Sequence, residues 1–262
     1  GNGNMNFRLF NDTVRLEANA FIKNQNPTFY YRHFHSKHYW WDNNDLSKMM
    51  RTRIEGKLSI DRWRTQLKAG VENITNYTYL DNTSVATGGE EGSETSTSFL
   101  NNVGVAQHSG SIQVFSASLR QDFKVGILHL DNEVTYQTSS NQDILPLPKL
   151  TLYHNLYLSF GLAKKVLKVE MGADVRYFTE YYAPDYAPAI GQFYLQNKET
   201  RYKLGNYPLL NGYINLHLKR TRIFLMMYNL IQGRGAHSYF LAPHYPLNPR
   251  LFKIGISWNF FD

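Results

Sequence analysis

The chain has 262 residues and no cysteine, which rules out disulfides, thiol catalysis and thiolate-held metal. It contains no run of about 18 apolar residues, so it encodes no membrane-crossing helix. The formal net charge of +7 does not point to nucleic acid: basic residues alternate with apolar ones or sit in turns beside acids, and no basic helix or aromatic RNA-binding motif accompanies them.

Gly1 to Asn4 reads as a leading loop without a signal peptide, as expected of a mature protein or a fragment. Residues 5–10 and 13–23 read as strands joined by Asn11-Asp12. In the second, Val14, Leu16, Ala18, Ala20 and Ile22 oppose Arg15, Glu17 and Asn19. An aromatic stretch follows and is expected to prolong that strand. Its His33, His35 and His38 offer imidazoles to zinc or copper, with Asp42 and Asp45 the nearest carboxylates. The plainer reading is an aromatic girdle or loop cap, and no metal or cofactor is expected. Trp40 and Trp41 are also shaped to stack on a sugar ring.

The third strand, residues 48–60, sets Met50, Thr52, Ile54, Gly56 and Leu58 against Arg51, Arg53, Glu55 and Lys57. Asp61-Arg62 turns it into the fourth, where Trp63, Leu67, Ala69 and Val71 oppose Arg64, Gln66, Lys68 and Glu72. Residues 81–109 are rich in Gly, Ser, Thr and acid and read as a mobile extracellular loop. Residues 111–122 and 125–138 are the fifth and sixth strands, with a tight turn near Phe123-Lys124. Residues 150–162 carry the clearest pattern: Leu150, Leu152, Leu156, Leu158, Phe160 and Leu162 on one face, interrupted only by His154. Ala163-Lys164-Lys165 turns into the eighth strand, where Leu167, Val169, Met171, Ala173 and Val175 alternate with Lys168, Glu170, Gly172, Asp174 and Arg176. The Pro- and Tyr-rich segment 182–206 is stiff, and is expected either to fold into a pore as a constriction or to pack over the rim. Residues 210–218 and 221–231, joined by Lys219-Arg220, are followed by a closing strand of Phe252, Ile254, Ile256, Trp258 and Phe260 against Lys253, Gly255, Ser257 and Asn259.

Strands this long, greasy on one face and charged on the other, fit crossings of about 9–11 residues with lipid outside and water inside. Connections alternate short and long, as between periplasmic turns and extracellular loops. Tyr (19) and Phe (16) are abundant, and rings with a polar tip favour the bilayer interface. A mean hydropathy of −0.45 is no objection, since half of each barrel strand faces water. The expected fold is all-β: an antiparallel transmembrane β-barrel in the bacterial outer membrane, with about 11–12 strands in this chain. Counting back from a periplasmic C-terminus puts Gly1 outside the cell, so the chain is expected to be the C-terminal part of a larger barrel.

Arg51, Arg53, Glu55, Lys57, Arg64, Lys68 and Glu72 are the expected pore-lining residues, joined by Lys168, Glu170, Asp174 and Arg176. The first group either biases permeation toward anions or forms a salt-bridged wall without selectivity. The stripe Phe252, Ile254, Ile256, Trp258 and Phe260 is the expected assembly signal.

From about Glu133 onward the sequence resembles the Bacteroidetes "putative porin" family of outer-membrane β-barrels. The resembling pieces are NQDILPLPKL at 141–150, GADVRYFT at 172–179, YYAPDY at 181–186, HLKRTR at 217–222, FLAPHYP at 240–246 and SWNFFD at 257–262. The match covers roughly the last half and is weak before Ser109. Members are longer than this chain, and the family offers no catalytic residue to carry over. Asp262 departs from the terminal aromatic of similar barrels, which assigns that place to Phe260.

No Gly-x-Ser-x-Gly elbow, His-Glu-x-x-His pair or Walker loop is present, so no enzyme is expected. The leading reading is a porin-like channel for passive diffusion of small solutes. Its partners would be outer-membrane lipid, the barrel assembly machinery and other envelope proteins. The alternatives are a structural barrel subunit of a larger outer-membrane assembly and the C-terminal part of a TonB-dependent-type transporter. A soluble β-binding protein is the most remote reading.

Overall fold

The computed structural model describes residues 1–9, 13–83, 103–234 and 239–260. One antiparallel sheet of eleven strands carries the fold. Its strands are β1 (Asn2–Leu9), β2 (Val14–Gln25), β3 (Met49–Ile60), β4 (Thr65–Asn82), β5 (Val103–Val125) and β6 (Leu128–Ser139). They continue as β7 (Leu150–Leu162), β8 (Leu167–Phe178), β9 (Leu209–Leu218), β10 (Thr221–Tyr228) and β11 (Leu251–Trp258). Each strand pairs with its neighbours in sequence, so the sheet is a simple meander.

The register follows the side-chain period. Phe7, Leu16, Leu58, Leu67, Leu119, Val134 and Leu152 lie opposite one another across seven successive strands. One residue along, Asn6, Glu17, Lys57, Lys68, Ser118, Thr135 and Thr151 form the matching polar row. A one-residue slip anywhere would send a whole strand's apolar set to the wet side. Exposure is inverted relative to a water-soluble protein: Ile54, Ile254 and Ile256 are 66%, 64% and 69% exposed, while Glu72 and Asp174 are buried. His154, the one interruption of the β7 outer face, sets its Nδ1 2.7 Å from Asn132 Oδ1 on the neighbouring strand.

Connections alternate as expected from the sequence. Short turns close β3–β4 with Arg64 at φ 51°, β7–β8 with Ala163, Lys164 and Lys165 at 49°, 56° and 69°, and β9–β10 with Lys219 at 52°. Long segments join β2–β3, β4–β5, β6–β7, β8–β9 and β10–β11 at the opposite end.

Several boundaries differ from the sequence reading. Asn2 already pairs with Phe21, so the chain starts as strand and not as a loop. The β5–β6 turn sits at Gly126 (φ 59°), beyond Phe123-Lys124, because only a residue tolerant of left-handed backbone closes it. The aromatic stretch does not prolong β2. After Pro27 it folds into a single helical turn, Phe29–Arg32, and a hairpin of His33–His35 with Trp40–Asp42. The segment 81–109 is not all loop: β4 runs to Asn82 and β5 starts at Val103, paired through Thr78↔Gln107 and Leu80↔Val105. Residues 84–102 lie outside the described residues. The pairing shifts between Thr75↔Ser111 and Tyr77↔His108, a bulge with one extra residue in β5. The tenth strand stops at Tyr228, short of Ile231, where Asn229 turns at φ 53°.

Among the described residues β1 and β11 each have one neighbour, so the sheet is open at both edges. The buried apolar cluster is small and lies at the long-loop end: Trp41, Leu80, Val103, Ala187, Ile190 and Tyr194.

The two faces make a direct prediction. Spin labels at Ile54 and Glu55 in the reconstituted protein should report lipid and water respectively, and Ile54→Arg should cost about 2–4 kcal/mol near the bilayer midplane. Reversed accessibility would overturn the assignment of faces.

Candidate functional site

The polar face divides into two halves of different chemistry. On β2 to β4 it is ionic. Glu72 accepts from Arg51 at 2.6 Å and from Arg53 at 3.4 Å. Arg53 also pairs with Glu55, which receives Lys68 at 2.9 Å. Lys57 and Lys68 stand directly opposite. The repulsion is relieved sideways, Lys57 reaching Glu17 at 3.5 Å and Lys68 reaching Glu55. The structure thus brings together six of the seven expected residues of this group and adds Glu17. Arg64 is the exception, placed in the β3–β4 turn as the left-handed cap of a short 3-10 segment.

On β6 to β11 the polar face carries amides and rings. Asp131, Asn155, Asp174 and Asn211 lie opposite one another on four adjacent strands. Asn211 Nδ2 donates to Asp174 Oδ1 at 3.1 Å, and Tyr213 donates to Asn155 Oδ1 at 2.8 Å. The next row sets His129 and Tyr157 side by side, stacked 4.8 Å apart at 15°, followed by Gly172 and Tyr213. A Cβ at Gly172 would stand 2.3 Å from the Leu156 carbonyl oxygen, so only glycine lets β7 approach there. The charged residues expected on β8 are paired among themselves: Lys168 with Glu170 at 2.7 Å, and Arg176 with Asp174 at 3.8 Å. Arg176 also lies over the Tyr153 ring.

The long loops fold across this face at one end. Leu195 N–H donates to Leu80 C=O at 2.9 Å, joining the β8–β9 connection to β4, four strands away. The segment that follows Tyr182 therefore lies across the long-loop end of the sheet, and Ala187, Ile190 and Tyr194 pack on Trp41 and Leu80. Tyr30 donates to Ile190 C=O at 3.0 Å, and Trp41 Nε1 to Tyr30 C=O at 2.8 Å. Asp185 gathers two loops, accepting from Tyr194 at 3.1 Å and lying 3.2 Å from His244 Nδ1. Burial, and behind it the Asp185 carboxylate, push the Tyr194 hydroxyl above its ordinary range, so it stays the donor. A fourth loop is tied in by Arg201, which donates to Asp143 at 2.7 Å and holds that carboxyl below the usual carboxylate range.

His33 pairs with Asp42 at 2.6 Å rather than with His35 or His38. No group of three or more His, Asp or Glu among the described residues is arranged to hold a metal. Phe252, Ile254, Ile256 and Trp258 form the outer stripe of β11, and Phe260, just past its end, stacks on Trp258 at 5.4 Å. Sequence reading did not collect the amide row, the tyrosines above it or the Asp185 hub. Their inward phase is legible strand by strand, but their juxtaposition depends on pairings made across long loops.

A family model described as "Putative porin" matches residues 1–262, including the stretch before Ser109 where the resemblance is weak. No curated protein matches the chain. Among solved structures, the ferric enterobactin receptor PfeA in complex with BCV-L6 is similar at TM-score 0.65 and 16% identity, over 97% of this chain and 40% of that one. The siderophore receptor PirA from Acinetobacter baumannii is similar at 0.62 and 11%, over 98% and 40%. The pyoverdine outer membrane receptor FpvA from Pseudomonas aeruginosa PAO1, bound to pyoverdine, gives 0.57 and 13%, over 96% and 34%. The chain thus spans about two fifths or less of the length of these receptors, and the likeness is one of fold: the outer-membrane β-barrel. With its two sorted faces and alternating connections, the chain belongs to the "putative porin" family of the bacterial outer membrane.

Proposed function

We propose that this chain forms part of the wall of a porin-like channel through which small solutes diffuse passively. The observation that supports this reading is the loop cap: side chains of the β8–β9 connection pack on the end of β4, above rows of charge, amide and rings that water would wet. A barrel serving only as scaffold has no use for a lined interior and a shaped mouth. In this reading the ionic half is a largely neutralised wall, with four cations (Arg51, Arg53, Lys57, Lys68) facing three carboxylates (Glu17, Glu55, Glu72). The resulting preference for anions is weak.

Hydrocarbon offers no partner to the unpaired backbone of β1 and β11, so the sheet is completed by further strands into a closed wall. The chain is then one region of a larger barrel, set in outer-membrane lipid. The exposed stripe from Phe252 to Phe260 is read by the barrel assembly machinery. The protein is a transport protein and not an enzyme.

Reconstituted in planar bilayers, the protein should conduct salt in stable steps. Electrically silent, correctly inserted protein would instead favour the structural-subunit reading. Glu72→Gln removes the carboxylate partner of Arg51 and one of the two partners of Arg53, so the reversal potential in a salt gradient should move toward anion preference, with a stability loss of about 1 kcal/mol. An unmoved reversal potential would remove the ionic half from the conduction path. Trp41→Ala empties the centre of the cap at a local cost of about 3–5 kcal/mol, and single-channel records should show larger, noisier steps. Substituting both Trp258 and Phe260 by Asp should abolish outer-membrane accumulation, measured by fractionation; wild-type levels would defeat the assembly-signal role.

A further inference from the structure

The rings and amides on β6 to β10 do not belong to the ionic wall, and they share one chemistry. Asp131, Asn155, Tyr157, Tyr213, Asn215 and Phe224 line a cavity of about 440 Å³ on the polar face. That volume lies within the ~300–1,000 Å³ of small-molecule sites. Its polar rim combines the Asp131 carboxylate with the Asn155 and Asn215 carboxamides. Ring groups flank them, and Phe224 lies across Gly255, where a Cβ would meet its ring at 2.2 Å. Gly255 thus makes room for the Phe224 ring on the lining of the cavity. The charges at the cavity nearly cancel: Glu170 is paired with Lys168 at 2.7 Å, and the Asp131 carboxylate shares the lining with Arg222, which donates to Asn215 Oδ1 at 3.1 Å.

A charged solute gains little from a neutralised patch and must displace paired groups. A flat, uncharged ligand with many hydroxyls gains twice, stacking its apolar face on the rings and bonding its rim to the amides and carboxylates. We infer that this patch is a binding subsite for neutral saccharides, placed on the channel wall beneath the loop cap. The inference rests on the reading of this face as a channel interior, and it turns a general pore into one that retains sugars in transit.

The test uses maltohexaose as probe, with a polyethylene glycol of matched hydrodynamic size as control. In detergent solution, saturation-transfer NMR on the protein should show binding of maltohexaose and none of the polymer. Tyr157→Ala and Tyr213→Ala should each weaken it about tenfold. Tyr213→Phe keeps the ring and should weaken it less, while Leu130→Val on the outer face of β6 should leave it unchanged. Heat-modifiable migration identifies variants that remain folded, and Asn215→Ala, with both rings intact, is a second probe of the polar rim, expected to weaken binding several-fold. In planar bilayers maltohexaose should add current interruptions that these variants shorten. Conductance without maltohexaose binding would overturn the subsite and leave the channel reading standing. Binding without conductance would overturn the channel and leave the subsite. Equal affinity in wild type and both alanine variants would place the sugar elsewhere.

Discussion

Everything in this molecule follows from the absence of hydrogen-bonding solvent in hydrocarbon. A backbone N–H or C=O left unpaired there costs several kcal/mol, so each crossing strand is paired along its length. Pairing of that kind fixes register, and register with a side-chain period of two forces one face to be apolar throughout. The row from Phe7 to Leu152 across seven strands is the visible result. Sheet and sequence pattern are therefore one constraint seen twice. Even the polar exceptions on the outer face obey it: His154 and Asn132 satisfy each other, as do Ser111 and Asn73.

The inner face is free of that constraint, and chemistry accumulates there. Two solutions are used. In the ionic half, long cationic side chains reach diagonally to carboxylates, so Lys57 and Lys68 tolerate each other across the β3–β4 ladder. In the amide half, short side chains bond directly to the residue opposite, as Asn211 does to Asp174. Long flexible side chains can move aside for an ion or water. Short amides locked to their neighbours hold position and present a fixed pattern. The two halves thus divide field from contact.

The sequence made the wall legible because its information is local. Alternation placed all eleven strands, and a hairpin turn carries its pairing with it: Arg53 opposite Glu72 follows once Asp61 is known to turn the chain. What stayed hidden depends on pairings across long connections. Glu17 meets Lys57 only because β2 and β3 are neighbours despite the intervening residues 26–48. The same holds for Asp174 opposite Asn211, on which the amide row depends. The bulge in β5 was invisible for a different reason. It shifts phase by one residue in a Gly- and Ser-containing stretch with no strong apolar beat, turning Val103 and Val105 toward Leu80. The aromatic hairpin misled because rings suit both strands and packed caps, and only tertiary contact between Phe34 and Trp41 decides.

That bulge also marks where, among the described residues, the buried apolar cluster begins. Below it Ile74 and Ile112 are buried opposite one another and the inner face of β4 then turns ionic at Glu72 and Lys68, while above it β4 and β5 present Leu80, Val103 and Val105 to the folded loops. The loops supply the matching surface, Trp41 from one and Ala187, Ile190 and Tyr194 from another. The cap is thus a small apolar island mounted on a membrane wall, and the two differ in how they come apart. Opening the wall exposes backbone to hydrocarbon and is prohibitive, whereas opening the cap releases six buried side chains and a few hydrogen bonds to water. In the channel proposed above, motion that admits a solute would therefore belong to the cap, while the wall below it stays rigid.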